Sequence, residues 1–266
     1  MQLWQRASDK QIDFLAITDH DTISGVRELS RTLSQNPAAT VDHYGTKLVP
    51  GVEITAQDVK TVVHVLGLWL DIDHEPLIGF LDLQQKARDD RGLEISRRLE
   101  SAGLPPTYEG ALTYAKGAPL GRPHFARYLV ELGLVENVSR AFNRWLGRGK
   151  IGDVDIAWPA VESVVEQIHE AGGLAVLAHP GKYLQGYGKC YELCQRFKEA
   201  GGDGIEVVSG AQQPKETRDL SRIAQRLGLA ASTGSDFHSP EQTWCDLGSQ
   251  QSLPELSEPI WDLQRS

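Results

Sequence analysis

Residues 159–171, PAVESVVEQIHEA, place apolar side chains at Val161, Val164, Val165, Ile168 and Ala171. That i, i+3, i+4, i+7 spacing predicts an amphipathic helix. Pro159 suits its first position and Gly172 the residue just past its end. GLAVLAHP follows, an unbroken apolar run of strand length that reads as a parallel strand buried on both faces. The unit then repeats. A polar helix up to Ala200 is closed by Gly201 and Gly202, and GIEVVS follows as a strand. A third helix opens at Pro214, carries Leu220, Ile223, Ala224 and Leu227, stops at Gly228 and leads into LAASTGSDFH. Three consecutive helix–strand units imply an α/β fold with a parallel sheet and covering helices.

The first quarter behaves similarly. IDFLAITDHD reads as a strand that ends in polar residues, followed by a helix over 22–34 with Asp21 or Thr22 as its N-cap. KLVPGVEITA and TVVHVLGLWL read as two more strands. Residues 75–150 differ, with helical periodicity throughout and breaks at Pro105, Pro106 and 117–119. The expected organisation is a first α/β part over 1–74, an all-helical insert over 75–150, and a second α/β part over 151–266.

Composition narrows the classes. A chain of 266 residues suits one large core, or a core with an insert. With 40% hydrophobic and 24% charged residues, it is too apolar to be disordered. The longest apolar run, 62–70, is interrupted by His64 and is too short to span a membrane. The opening MQLWQRASDKQ has no apolar core, so no secretory signal is expected. The 3 cysteines include Cys190 and Cys194 one helical turn apart and a solitary Cys245. A disulfide framework is not expected, and a reducing cytoplasm fits better. A net charge of −9 argues against a protein that coats duplex nucleic acid. It leaves room for an enzyme that grips a few phosphates with metal ions.

The ionisable residues change the picture most. Asp19 and His20 end the first strand, His179 ends GLAVLA, and Asp236 and His238 follow AASTG. In parallel α/β barrels the active site lies at the C-terminal ends of the strands. Glu53 and His64 fall inside apolar strands, where an ionisable group costs several kcal/mol unless it is paired or ligates a metal. A buried histidine alone reads first as a hydrogen-bonded core residue, and Asp-His after a strand reads equally as a helix cap, but their joint placement marks a candidate metal cluster. The His/Asp/Glu mix without Cys suits Mn²⁺, Zn²⁺ or iron.

Weaker signals surround it. GRPHFAR (121–127) and GRGK (147–150) set cationic side chains beside glycines. Residues 119–150 hold six Lys/Arg against two Asp/Glu, a phosphate-gripping face or a solvated one. GRGK lacks P-loop spacing. Trp145 and Trp158 read as core, and His43, His74 and His169 as solvated. Glu206 reads either as a neighbour of the metal cluster or as a salt-bridged residue.

AITDHDT, PGVEIT, VHVLGL, LGRPHFARYLVELG, LGRGK, AGGLAVLAHPGKY, AGGDGIEVVSG and STGSDFH together resemble the PHP domain. More narrowly, they resemble the YciV/TrpH-type phosphoesterases. The resemblance implies a distorted seven-stranded (β/α) barrel with an inserted helical domain and up to three divalent metals, often Mn²⁺, with Mg²⁺, Zn²⁺ or iron as alternatives. Glu53 would bridge two metals, one completed by His64 and His179 and the other bound by Asp236. His20 and His238 would hold the third, with Asp19 behind them. Arg122, His124 and Lys150 would bind substrate phosphate.

The implied activity is hydrolysis of 3′,5′-nucleoside bisphosphates to 5′-monophosphates, or 5′-to-3′ trimming of short RNA. Water activated by the metals would attack phosphorus, Arg122 would stabilise the developing charge, and Asp236 or His124 would protonate the leaving oxygen. The family opens on a strand with His-x-His and a following Asp that this sequence does not show. Without that strand, only the Glu53–His64–His179 site keeps all its ligands. A start placed at an internal methionine is therefore expected, and the alternative is a truncated non-catalytic remnant or a phosphate-binding protein.

Overall fold

The computed structural model describes residues 1–35, 45–183, 186–238 and 245–265. His43 lies outside them. The chain forms two compact units, Met1–Gly79 with Trp158–Ser266, and Phe80–Ala157.

The first unit opens with α1 (Gln2–Asp9), β1 (Phe14–Ile17) and α2 (Ser24–Gln35), then β2 (Lys47–Asp58) and β3 (Thr61–Leu68). After the second unit come α7 (Val161–Glu170), β4 (Leu174–Leu177), α8 (Tyr187–Glu199), β5 (Gly204–Ser209), α9 (Pro214–Leu227) and β6 (Ala230–Gly234). Among the described residues, six strands form one sheet in chain order, β1 to β6. α7 packs on β2, β3 and β4, and α9 on β5 and β6.

The sheet is mixed rather than parallel throughout. β1–β2, β4–β5 and β5–β6 are parallel, but β3 runs antiparallel to both β2 and β4. The reason is local: only Val59 and Lys60 separate β2 from β3, and a parallel crossover needs a dozen residues or more. β2 is long because it serves two neighbours. Lys47 to Pro50 pair with β1, and Gly51 to Asp58 pair with β3. Gly51 sits at the changeover, where a β-carbon would lie 2.9 Å from Thr18 Cγ2, 3.1 Å from Gly67 O and 3.2 Å from Ile17 O.

Helix ends follow the glycines. Gly172 lies just past α7 at φ 73° and Gly228 caps α9 at φ 62°, the left-handed geometry glycine adopts without strain. Pro159, expected inside α7, precedes it, and its carbonyl accepts the Gln57 amide. Asp21 does not cap α2; Thr22 Oγ1 accepts the Ser24 amide at 3.2 Å. All three cysteines are free.

In the second unit, α3 (Glu75–Ser101, which begins before the boundary), α4 (Tyr108–Ala115), α5 (Arg122–Glu131), α6 (Val138–Ala141) and a π-turn (Phe142–Leu146) enclose a core of their own. Ile95, Leu99, Phe125, Leu129 and Leu146 fill it, and Trp145 packs against it. Trp158, in the first unit, is buried. Among the described residues, no helix is long and apolar enough to cross a membrane.

Candidate metal centre

Glu53 is the hub, and backbone pairing explains why. Beyond β1 the chain stays beside β2: the Glu53 amide donates to Asp19 O (3.1 Å) and the Asp21 amide to Glu53 O (2.8 Å). This bridge sets His20 opposite Glu53. Asp21, fully buried at φ 50°, locks the segment by accepting from Thr55 N (2.7 Å) and Thr55 Oγ1 (2.9 Å). Across the hairpin, His64 pairs with Thr55, two residues from Glu53 and so on the same face. His179 arrives from the end of β4.

Three imidazoles therefore surround one buried carboxylate. His64 Nδ1 and His179 Nε2 lie 2.8 and 3.1 Å from Glu53 Oε1, and His20 Nδ1 lies 3.6 Å from Oε2. Ring centroids are 4.7 Å apart for His20 and His64 and 5.4 Å for His64 and His179. Burial pushes the Glu53 carboxyl up, but hydrogen bonding to His179 and His64 and the nearby His20 win and hold it well below the carboxylate range. For His179, burial favours the neutral ring, yet hydrogen bonding to Glu53 and its charge outweigh that and raise the pKa.

Asp236 and His238 stand together after β6. Lys182 pairs with Asp236 Oδ2, His238 Nδ1 lies 3.6 Å from Asp236 Oδ1, and the His238 ring is 6.3 Å from His20. Burial of the Asp19 carboxyl raises its pKa against the pull of His238. A cavity of about 450 Å³ opens beside these residues, lined by His179, Lys182, Ser209, Gln212, Asp236 and His238.

The donor set fits divalent cations. Ligand atoms of His20, Glu53 and His64 lie within 4.8 Å of one another. The buried Nδ1 atom of His179 has no hydrogen-bond partner among the described residues. Buried imidazole nitrogens facing a carboxylate suit a borderline cation.

Two neighbours hold the histidine main chain: Glu206, one of whose two sequence readings this is, and Tyr183, which the sequence does not single out. Tyr183 Oη accepts the His64 amide (2.8 Å), and Glu206 Oε2 accepts the His179 amide (2.7 Å). Burial, with Asp236 and Glu53 nearby, lifts the Glu206 carboxyl to about 7 despite the pull of His179. Lys182 and Tyr183 belong to the AHPGKY motif, but nothing in the string shows what they touch.

The phosphate-binding candidates lie in the second unit. Arg122 Nη1 is held by Asp153 Oδ1 (2.9 Å) and Leu146 O (3.1 Å). His124 Nδ1 accepts the Gly121 amide (3.0 Å) at the start of α5, and Lys150 is exposed. Arg91, outside the 119–150 window, donates to Val154 O at 2.8 Å. Its guanidinium is lowered to about 10 by burial and by neighbouring Arg122 and Arg88. The helical charge run 86–91, KARDDR, hides that grouping in sequence. His124 is lowered too, first by burial and then by Arg127 and Arg88.

No family model matches the chain. It is 39% identical to the 5′-3′ exoribonuclease Rnm of Salmonella typhimurium, over 97% of this chain and 86% of that protein. It is 35% identical to the 3′,5′-nucleoside bisphosphate phosphatase of Chromobacterium violaceum, over 96% of this chain and 87% of that protein. Among solved structures, an amidohydrolase from Chromobacterium violaceum with bound sulfate and no metal superimposes with a TM-score of 0.87 at 34% identity, over 99% of this chain and 89% of that one. A protein from Bifidobacterium adolescentis, described as a metal-dependent phosphoesterase, superimposes with a TM-score of 0.76 at 27% identity, over 99% and 88%. The likeness in sequence and in fold runs along almost the entire chain, which belongs to the PHP family of metal-dependent phosphoesterases, together with the Rnm exoribonucleases and the nucleoside bisphosphate phosphatases.

Proposed function

We propose that this chain hydrolyses phosphate esters of nucleotides, releasing the 3′ phosphate of a 3′,5′-nucleoside bisphosphate or trimming short RNA from its 5′ end. The observation that carries this reading is the convergence of His20, His64 and His179 on the buried Glu53 carboxylate. The relatives above carry those two activities in their names.

Glu53, His64, His179, His20, Asp236 and His238 would hold the cations, up to three, with Mn²⁺ as the proposed metal. A bound divalent cation polarises a phosphoryl oxygen and acidifies water. The chain's own residues do the rest. Asp21 and Thr55 fix the segment that carries His20. Arg122, steadied by Asp153, and the Lys150 ammonium are the proposed phosphate contacts. His124 is held towards its neutral form, and its Nδ1 accepts an amide, so the ring proton sits on Nε2. In that form it donates a hydrogen bond to a phosphate oxygen. Asp236 or His124 is the proposed proton donor to the leaving oxygen, His124 in that role only when its ring carries a second proton, which its lowered pKa releases readily. The three free thiols support a reducing, cytoplasmic compartment.

The test is hydrolysis by the purified chain with Mn²⁺, using 3′,5′-adenosine bisphosphate and a short 5′-phosphorylated oligoribonucleotide. The expected result is release of phosphate or mononucleotide, abolished by chelation and by Glu53→Gln. No turnover of either substrate by protein that binds Mn²⁺ would leave a non-catalytic phosphate-binding role instead.

A further inference from the structure

His179 must be held in place by something other than its own backbone preference. It stands two residues beyond β4 at φ 31° and ψ 55°, in the left-handed region that a residue with a β-carbon avoids. Such a conformation is strained and persists only where surrounding contacts over-determine it. Three main-chain amides around the turn are bonded, two to carbonyls and one to a side chain. The Ala178 amide donates to His64 O (3.0 Å) and the Lys182 amide to His179 O (2.9 Å). The His179 amide itself donates to Glu206 Oε2 at 2.7 Å.

Glu206 is an expensive way to supply an acceptor. Its side chain is buried in the middle of β5, and among the described residues no lysine or arginine bridges it. A β-bulge between Glu206 and Val208 interrupts the β5–β6 register at this point, a device that re-aims side chains. The sheet also makes room for the carboxylate. A β-carbon on Gly234 of β6 would lie 2.3 Å from Glu206 Oε1. Strand, bulge and glycine together place one carboxyl acceptor on one amide.

We propose that Glu206 is a positioning residue for His179. Its carboxylate holds the His179 main chain in the left-handed turn that aims the ring at Glu53, and Gly234 is the gap that admits it. The inference rests on the reading of His179 as a metal ligand. Partners that orient a ligand in this way are typically worth about 10–100-fold in metal affinity.

The test is calorimetric titration of Mn²⁺ into the metal-free full chain, with the thermal transition recorded alongside. The variants are Glu206→Leu, Glu206→Gln, Gly234→Ala and His179→Ala. Gln keeps an oxygen for the His179 amide, whereas Leu does not. Gly234→Ala removes no polar group but displaces the carboxylate. The expected result is weaker Mn²⁺ binding, by about tenfold or more, in Glu206→Leu, Gly234→Ala and His179→Ala, with Glu206→Gln within about threefold of the parent. Wild-type affinity in Glu206→Leu and Gly234→Ala, with His179→Ala impaired, overturns the positioning role and leaves the metal reading intact. Wild-type affinity in His179→Ala overturns the metal role of His179 itself. Should Glu206→Leu fail to fold, the near-isosteric Gln variant and Gly234→Ala decide: a loss of about tenfold or more in Gln counts against the proposal, because the acceptor is still present.

Discussion

Glu53 and His64 sit two register positions apart across the β2–β3 ladder, and His64 Nδ1 lies 2.8 Å from Glu53 Oε1. The pairing depends on strand period, since a slip of one residue would turn either side chain to the opposite face. The two-residue connection between the strands fixes the register. Glu53 has further partners in His179 and His20, so losing one imidazole does not strand a buried charge. His64→Ala is therefore expected to weaken Mn²⁺ binding by about tenfold or more while the protein stays folded. Calorimetry and a melting curve on the same sample measure both.

Asp21 carries more weight than a helix cap would. It is fully buried and takes both the amide and the hydroxyl of Thr55. Replacing it with alanine removes both of these acceptor contacts to Thr55, each loss costing about 1–3 kcal/mol. Asp21→Ala is expected to lower unfolding free energy by at least about 2 kcal/mol in denaturant titration. It should also weaken Mn²⁺ binding, because His20 is the preceding residue. Unchanged stability would show that the bridge to β2 is held by other means.

Gly51 tests the sheet changeover. Two of the three atoms that an alanine methyl would meet are backbone oxygens of β1 and β3, which cannot move without breaking strand pairing. Gly51→Ala is expected to cost about 1–3 kcal/mol. Urea unfolding measures it, and a neutral result would mean that the β1–β2 junction yields more easily than its geometry implies.

His124 gives the pH prediction. Burial first, and Arg127 and Arg88 after it, lower its pKa from the ordinary 6.5. The folded ring then binds a proton less readily than the unfolded one. Stability is lost as pH falls from 6.5 towards the lowered folded value, and this residue contributes no pH dependence above that range. An imidazole NMR titration is expected to show a midpoint below 6.5, and Arg127→Ala should raise it. A midpoint above 6.5 would mean an unnoticed anionic partner.

Much of this architecture can be read from the string, and the exceptions have physical reasons. The helix–strand rhythm from residue 159 onward shows because each helix carries its stripe and ends at a glycine such as Gly172 or Gly228. The antiparallel turn of β3 is less plain, since an apolar run looks alike in either direction. Asp21 resembles a cap because its partner Thr55 is 34 residues away. Glu206 in GIEVVS reads as a neighbour of the cluster or as a salt-bridged residue, and the string cannot choose because its partner is a backbone amide, which no side-chain pattern reveals. Arg88 and Arg91 merge into a charged helix face until α3 folds against the 153–154 segment.

The most direct test of the central claim is a crystal structure of the chain soaked in Mn²⁺, with anomalous scattering recorded at the manganese edge. A peak bounded by Glu53, His64 and His179, absent in Glu53→Gln, is the predicted result. A folded protein with the imidazoles still gathered on Glu53 and no anomalous peak among them would contradict it.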